Sequence, residues 1–201
     1  MPRVHSAVAA KDYPNQGIQK GERYFYWTPF RAGKRMSKTP PTPSQVESNP
    51  TRAEYLALQE GLAIDIEQAE SIEDIIAILE NATSEFEGIV YGLREKADNI
   101  EDGFGHETEM SMQFNEQADE VENWISELAN PDLPQEPDSE PVKPERKNFP
   151  DGESGDDQFD EATSDWLNEF EDWQDAQDSW EASVEEVREE AQSLLDDAPE
   201  I

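Results

Sequence analysis

From Ile72 onward the chain places Ile72, Ile75, Ile76, Leu79, Ala82, Phe86, Ile89, Val90, Leu93, Ala97 and Ile100 mostly three or four residues apart. Such spacing puts every one of them on a single stripe of an α-helix. About 29 residues at ~1.5 Å rise give a rod of roughly 44 Å. Ser71 before the run and Asp74 three residues later fit a helix N-cap with its reciprocal acid. The rod is predicted to end at Asp102-Gly103-Phe104-Gly105, with glycine supplying the positive φ of the C-cap and the chain doubling back at Gly103. Periodicity resumes with Met110, Phe114, Ala118, Val121, Ile125 and Leu128, and Trp124 flanks that seam. A short turn between two long helices makes them antiparallel, so the two stripes face each other. Two helices bury little, and a third element must cover the rest of the seam. Gly88 and Gly92 lie on one face of the rod and mark either a close approach by a partner or two surface glycines, at about 1 kcal/mol each.

The segments on either side follow from local pattern. Asn49 reads as an N-cap with Pro50 at the first helical position, and Tyr55, Leu58, Leu62, Ile66 and Ala69 continue at helical spacing. This short helix is the natural third member of the bundle. Upstream, Thr39 to Pro50 holds four prolines in twelve residues and is predicted to be extended. Glu22 to Thr28 is aromatic-rich and suits a strand, which Ala32-Gly33 would fold onto Lys34 to Lys38. The first dozen residues show no period and are expected to be loose. Downstream, Asn130 to Pro150 carries six prolines in 21 residues and reads as a semi-rigid spacer. Beyond it, Phe159, Thr163, Trp166, Phe170, Trp173, Gln177, Trp180, Val184, Val187, Ala191 and Leu194 form a heptad stripe whose other faces are almost wholly Asp and Glu. That helix repels itself along its length and needs its aromatic seam buried.

The predicted fold is therefore mainly α. It comprises a long antiparallel helical hairpin plus a short helix, a small N-terminal basic β-hairpin, and an acidic C-terminal heptad helix after a proline-rich linker. The corresponding units are 1–48, 49–129, 130–157 and 158–197.

Charge divides the chain along the same lines. Residues 1–45 carry eight Lys/Arg against two acids, residues 46–150 six against 27, and residues 151–201 Arg188 against 20, for a formal net charge of −34. Only 34% of residues are hydrophobic, too few for a large enzyme-like core. The chain has no cysteine, which excludes disulfides, thiolate metal sites and a cysteine nucleophile. No apolar run approaches the ~20 residues that span a membrane, and no signal peptide is visible. A soluble, cytoplasmic protein without cofactor or membrane contact is expected.

Three sets of residues are candidates for function. In the head, Arg23, Tyr24, Tyr26, Trp27, Arg31, Lys34, Arg35 and Lys38 interleave cations with rings, as single-stranded nucleic acid binding requires. The same pattern also suits a mini-core with basic rims, or a head docked on the chain's own acidic helices. In the tail, Trp166, Phe170, Trp173 and Trp180 form a seam that either packs on the bundle or on a second copy, or captures another protein. At the turn, Asp98, Asp102, Gly103 and Glu109 fall at positions one, five, six and twelve of a calcium loop. Ile100 and Gly105 break that pattern, so a plain inter-helix turn is expected. No nucleophile elbow, phosphate-binding loop or Glu-x-x-His pair is present, and no enzyme is expected.

The head KGERYFYW…GKRMSKTPPTPSQ, the turn NIEDGFGHETEMS and the following QADEVENWISEL resemble segments of bacteriophage and prophage proteins. The resemblance covers under a third of the chain and carries over no functional residue. It implies a phage-associated accessory protein engaged in host interaction or counter-defence. Three functions are compatible with these features. The first is an interaction protein whose carboxylate rows copy the field of DNA and bind a basic host protein. The second is a nucleic-acid binder whose acidic tail competes for the head. The third is a homo-oligomeric coiled-coil structural protein.

Overall fold

The computed structural model describes residues 3–28, 33–131, 133, 140–144 and 157–201, with side chains of the last segment described from residue 164. Three strands, β1 (His5–Val8), β2 (Arg23–Trp27) and β3 (Arg35–Ser37), precede five helices. These are α1 (Pro43–Val46), α2 (Pro50–Gln68), α3 (Ile72–Phe104), α4 (Glu109–Ala129) and α5 (Asp157–Asp196). The fold is mainly helical with a small N-terminal antiparallel sheet, as the sequence predicts.

The hairpin forms as its stripe requires. The Ser71 hydroxyl accepts from the Asp74 N–H at 3.1 Å and starts α3. Its buried positions include Ile72, Ile75, Leu79, Ala82, Phe86, Ile89, Val90, Leu93 and Ala97. Two details differ from expectation. Helix α3 runs through Gly103, and the left-handed residue is Gly105 at φ 74°, whose N–H reaches the Glu101 carbonyl at 2.7 Å. Position 103 still sits on the helical ladder; the C-cap belongs to the first residue past it that tolerates positive φ. In α4 the seam begins at Ser111, which is fully buried and closes a capping box with Thr108, whereas Met110 is exposed. Trp124 is a core residue at 3% exposure and not a flanking one.

Both flanking helices complete the core. The Asn49 carboxamide oxygen accepts from the N–H groups of Thr51 and Arg52, so Pro50 opens α2. Helix α2 packs on α3, and α5 packs on both. Tyr55, Phe86 and Trp124 meet edge to face, with centroids 4.8 to 6.2 Å apart. Val184, Val187 and Ala191 of α5 close the same core, with Trp180 and Leu194 at its edge.

The head departs further from expectation. Residues 5–8 are not loose: β1 pairs antiparallel with β2, His5 opposite Tyr26 and Val8 opposite Arg23. β2 also pairs with β3, as the predicted hairpin requires, with Trp27 opposite Arg35. An extended β2 offers two hydrogen-bonding edges, and β1 satisfies the second. Thr39–Pro50 is not wholly extended either. Thr42 precedes the single turn α1, its N–H donating to the Gln45 side-chain oxygen at 3.4 Å, with Pro43 at the first position. The Ser44 N–H and hydroxyl both donate to the Glu60 carboxylate, at 2.9 and 2.6 Å, and tie that turn to α2.

Two predictions arise here. Gly88 is exposed in the middle of α3, and a Cβ there would meet nothing within 4 Å. Gly88→Ala should therefore stabilise the fold by about 0.5–1 kcal/mol in urea denaturation; a loss of stability would show that some neighbour needs the bare backbone. The Tyr55 hydroxyl donates to the Pro199 carbonyl at 3.0 Å, and burial pushes the phenol's pKa well above its ordinary value. A raised pKa favours the neutral form in the folded state. Its contribution is complete below the unfolded pKa of about 10 and is lost as pH rises through the folded one. Tyr55→Phe should therefore reduce the alkaline slope of stability above pH ~10 by up to about 1.4 kcal/mol per pH unit. An unchanged slope would contradict the burial.

Candidate interaction surfaces

Helix α5 carries the most unusual arrangement. Its last third seats on α2 and α3 through Val184, Val187 and Ala191, whereas the turns before Trp180 reach past that contact. There Trp166 stacks on Phe170 at 5.3 Å and 26°, and Phe170 meets Trp173 at 5.4 Å and 40°. All three rings are half-buried. Heptad spacing places successive aromatics one turn apart on the same face, which makes this ladder a direct product of sequence.

Its Phe170 and Trp173 rings are covered in cis. Residues 140–144 of the linker, which form neither helix nor strand, lie against them. The Trp173 indole N–H donates to the Pro141 carbonyl at 3.0 Å. The Lys143 ammonium sits 5.1 Å from the Trp173 ring centroid and 5.5 Å from that of Phe170, within cation–π range. The Val142 side chain points away and is 91% exposed. The linker sequence alone gives little sign of this strap, because its prolines read equally well as a spacer.

On its other faces α5 is a row of carboxylates. Asp165, Glu169, Glu171, Asp172, Asp175, Asp178, Glu181, Glu185, Glu186, Glu189, Glu190 and Asp196 are all exposed. Counted over these faces at ~1.5 Å per residue, this is about one carboxylate per 4 Å of helix axis, against ~3.4 Å per phosphate along one DNA strand and ~1.7 Å along the duplex. Acids of α3 and α4 add to the field; Arg94 bridges the hairpin by pairing with Asp119 at 3.1 Å and with Glu122. Those two acceptors, Asp119 first, hold its guanidinium more firmly protonated. Arg188, the one base of α5, turns inward to the end of α2 and also pairs with Glu185.

The basic head looks different in three dimensions. Tyr24 and Trp27 are interior, at 6% and 4% exposure. Tyr24 joins Ala9 and Ile18 in a small second core, while the Trp27 indole donates to the Gln45 carbonyl at 3.1 Å. Tyr26 has His5 stacked at 5.1 Å and Lys34 at 3.8 Å from its centroid. Burial leaves Tyr24 and Trp27 little free face on which a base could stack, whereas Tyr26 is half-buried between His5 and Lys34. Of the cations predicted to bind, Arg23, Lys34, Arg35 and Lys38 are exposed, and Arg31 lies outside the described residues. Lys38 pairs with Glu22 at 3.0 Å. The Gln19 N–H, and then Lys38, lower the pKa of that carboxyl below its ordinary value.

The calcium-loop pattern does not form a loop. Asp98 and Asp102 lie within α3, which stays helical to Phe104, so the open twelve-residue turn needed for calcium is absent. Among the described residues no group of three potential ligands converges on a metal position. No described helix is long and apolar enough to cross a membrane.

No protein-family model, curated protein or solved structure matches this chain. Its function must be argued from its own charge and geometry.

Proposed function

We propose that this chain is a non-enzymatic accessory interaction protein of phage type, whose acidic helices bind a basic host protein by presenting carboxylates at near-nucleic-acid spacing. The observation that carries this reading is the exposed row on α5, about one charge per 4 Å against ~3.4 Å for a DNA strand. A field of that density attracts a DNA-binding groove at long range and speeds encounter at low salt. The head contributes little to a competing nucleic-acid role, because its rings are engaged within its own sheet and cores.

The test is capture from bacterial lysate by the full chain and by a variant with Asp172, Asp175, Asp178 and Glu181 changed to Asn or Gln. The expected result is a nucleic-acid-binding protein that is released by added duplex DNA and by salt, and that the neutralised variant retains poorly. Capture that duplex DNA does not displace, or that survives neutralisation, would overturn the reading.

A further inference from the structure

We propose that the Trp166–Phe170–Trp173 ladder of α5 recognises an extended, proline-flanked basic segment of the partner protein, and that residues 141–144 occupy this surface in cis until the partner displaces them. The proposal deepens the function above and rests on α5 being an interaction helix; it adds the chemistry that the helix reads.

The bound strap displays that chemistry. Pro141 and Pro144 each fix φ, so the segment is extended before it docks and loses little freedom on docking. Its contact with Trp173 runs from indole N–H to a main-chain carbonyl, a bond available to any extended segment in the same register. Aromatic-lined grooves that take proline-rich ligands combine these two features. Lys143 supplies selectivity, since its ammonium lies over both Phe170 and Trp173. Exposed carboxylates at Asp172 and Glu181, on either side of Trp173, favour a cation and oppose an acidic segment. Val142, directed to solvent, makes the second position indifferent. The surface thus reads Pro-x-Lys-Pro, or its arginine equivalent, in a basic protein.

Among the described residues the strap makes few contacts. The contacts described for it are one hydrogen bond and one cation over two rings on an exposed helix face. Tethering compensates by giving it an effective concentration on the order of millimolar. A partner that also engages the carboxylate rows can exceed that threshold, whereas an isolated short peptide competes poorly.

The probe is the nonapeptide SEPVKPERK, the chain's own residues 139–147, titrated into the full-length protein and observed through the indole Nε1–H resonance of Trp173, assigned with Trp173→Phe. A strap variant, Pro141→Gly with Lys143→Ser, should shift that resonance without peptide and should bind the peptide roughly ten-fold or more tighter than the unaltered chain. A control peptide of equal charge with both prolines changed to alanine should bind the strap variant roughly ten-fold more weakly. An unchanged Trp173 resonance in the strap variant would overturn cis occupancy, and so would the absence of peptide binding to that variant. If the alanine peptide binds as well as the proline one and salt abolishes both, the carboxylate reading stands and this proposal falls. If neither peptide binds at low salt, both fall.

Discussion

Trp124→Ala is expected to destabilise the protein by about 3–5 kcal/mol, the range for removing a large buried aromatic. Trp124 is 3% exposed. It sits 4.8 Å from Phe86 and 6.2 Å from Tyr55, centroid to centroid, with each pair near perpendicular. Its indole also donates to the Leu194 carbonyl at 2.8 Å, so one side chain from α4 holds both the aromatic centre and the end of α5. Alanine would leave a cavity where three helices meet and an acceptor without its donor. Trp124→Phe keeps most of the volume and loses only the donor, which should cost about 1–2 kcal/mol. Urea denaturation followed by circular dichroism measures both. A loss below about 1 kcal/mol for the alanine variant would show that this triad is not the centre of the core.

Arg188→Met is expected to cost about 2–3 kcal/mol, unusual for a residue on a helix so largely exposed. The guanidinium donates through Nη2 to the Ala69 carbonyl at 2.8 Å and through Nε to the Ile66 carbonyl at 3.3 Å. Those carbonyls end α2, where partial negative charge collects; the Ala69 N–H reaches the Ile66 carbonyl at 3.3 Å, and Arg188 adds its two donors to that end. Ile66 is fully buried and Ala69 nearly so, so water replaces the lost donors poorly. Methionine preserves the stem and removes only the fork. Arg188→Lys restores the charge, but a single ammonium cannot reproduce the planar two-point contact, and it should recover less than half of the loss. Equal stability of the methionine variant and the unaltered chain would mean that the end of α2 is satisfied by water.

The hairpin was legible because its signal is redundant. Period, N-cap and glycine turn all point to one structure, and the error of two residues at Gly103 reflects only that two glycines flank Phe104. The Asn49-Pro50 start of α2 was legible for the same reason. Strand β1 was not, because four residues of mixed polarity become a strand only when a neighbour offers its free edge. The head misled in another way. Cations beside rings are the composition of a nucleic-acid platform and equally of a sheet that covers its tyrosines with its own lysines, as Lys34 covers Tyr26. In the tail, periodicity identified the aromatic seam, but what lies on it was invisible. Lys143 reaches Trp173 across 30 positions of chain, and composition does not record such pairings.

The seating of α5 also sets the order in which the molecule comes together and apart. Contacts within the hairpin span short stretches, as between Arg94 and Asp119, 25 residues apart. Those that hold α5 span far longer ones, 119 residues from Arg188 to Ala69 and 144 from Tyr55 to Pro199. Closing the longer loops costs about 1.6 kcal/mol more in chain entropy, so the hairpin can nucleate alone while α5 arrives last. In the reverse direction, α5 should be the first unit to open, at a lower free energy than global unfolding. Amide protons of Val184 to Leu194 should then exchange with solvent sooner than those of α3. In that transient state the Tyr55–Phe86–Trp124 cluster is bared, so the protein's exposure to proteolysis and aggregation is governed by how firmly its acidic arm is latched.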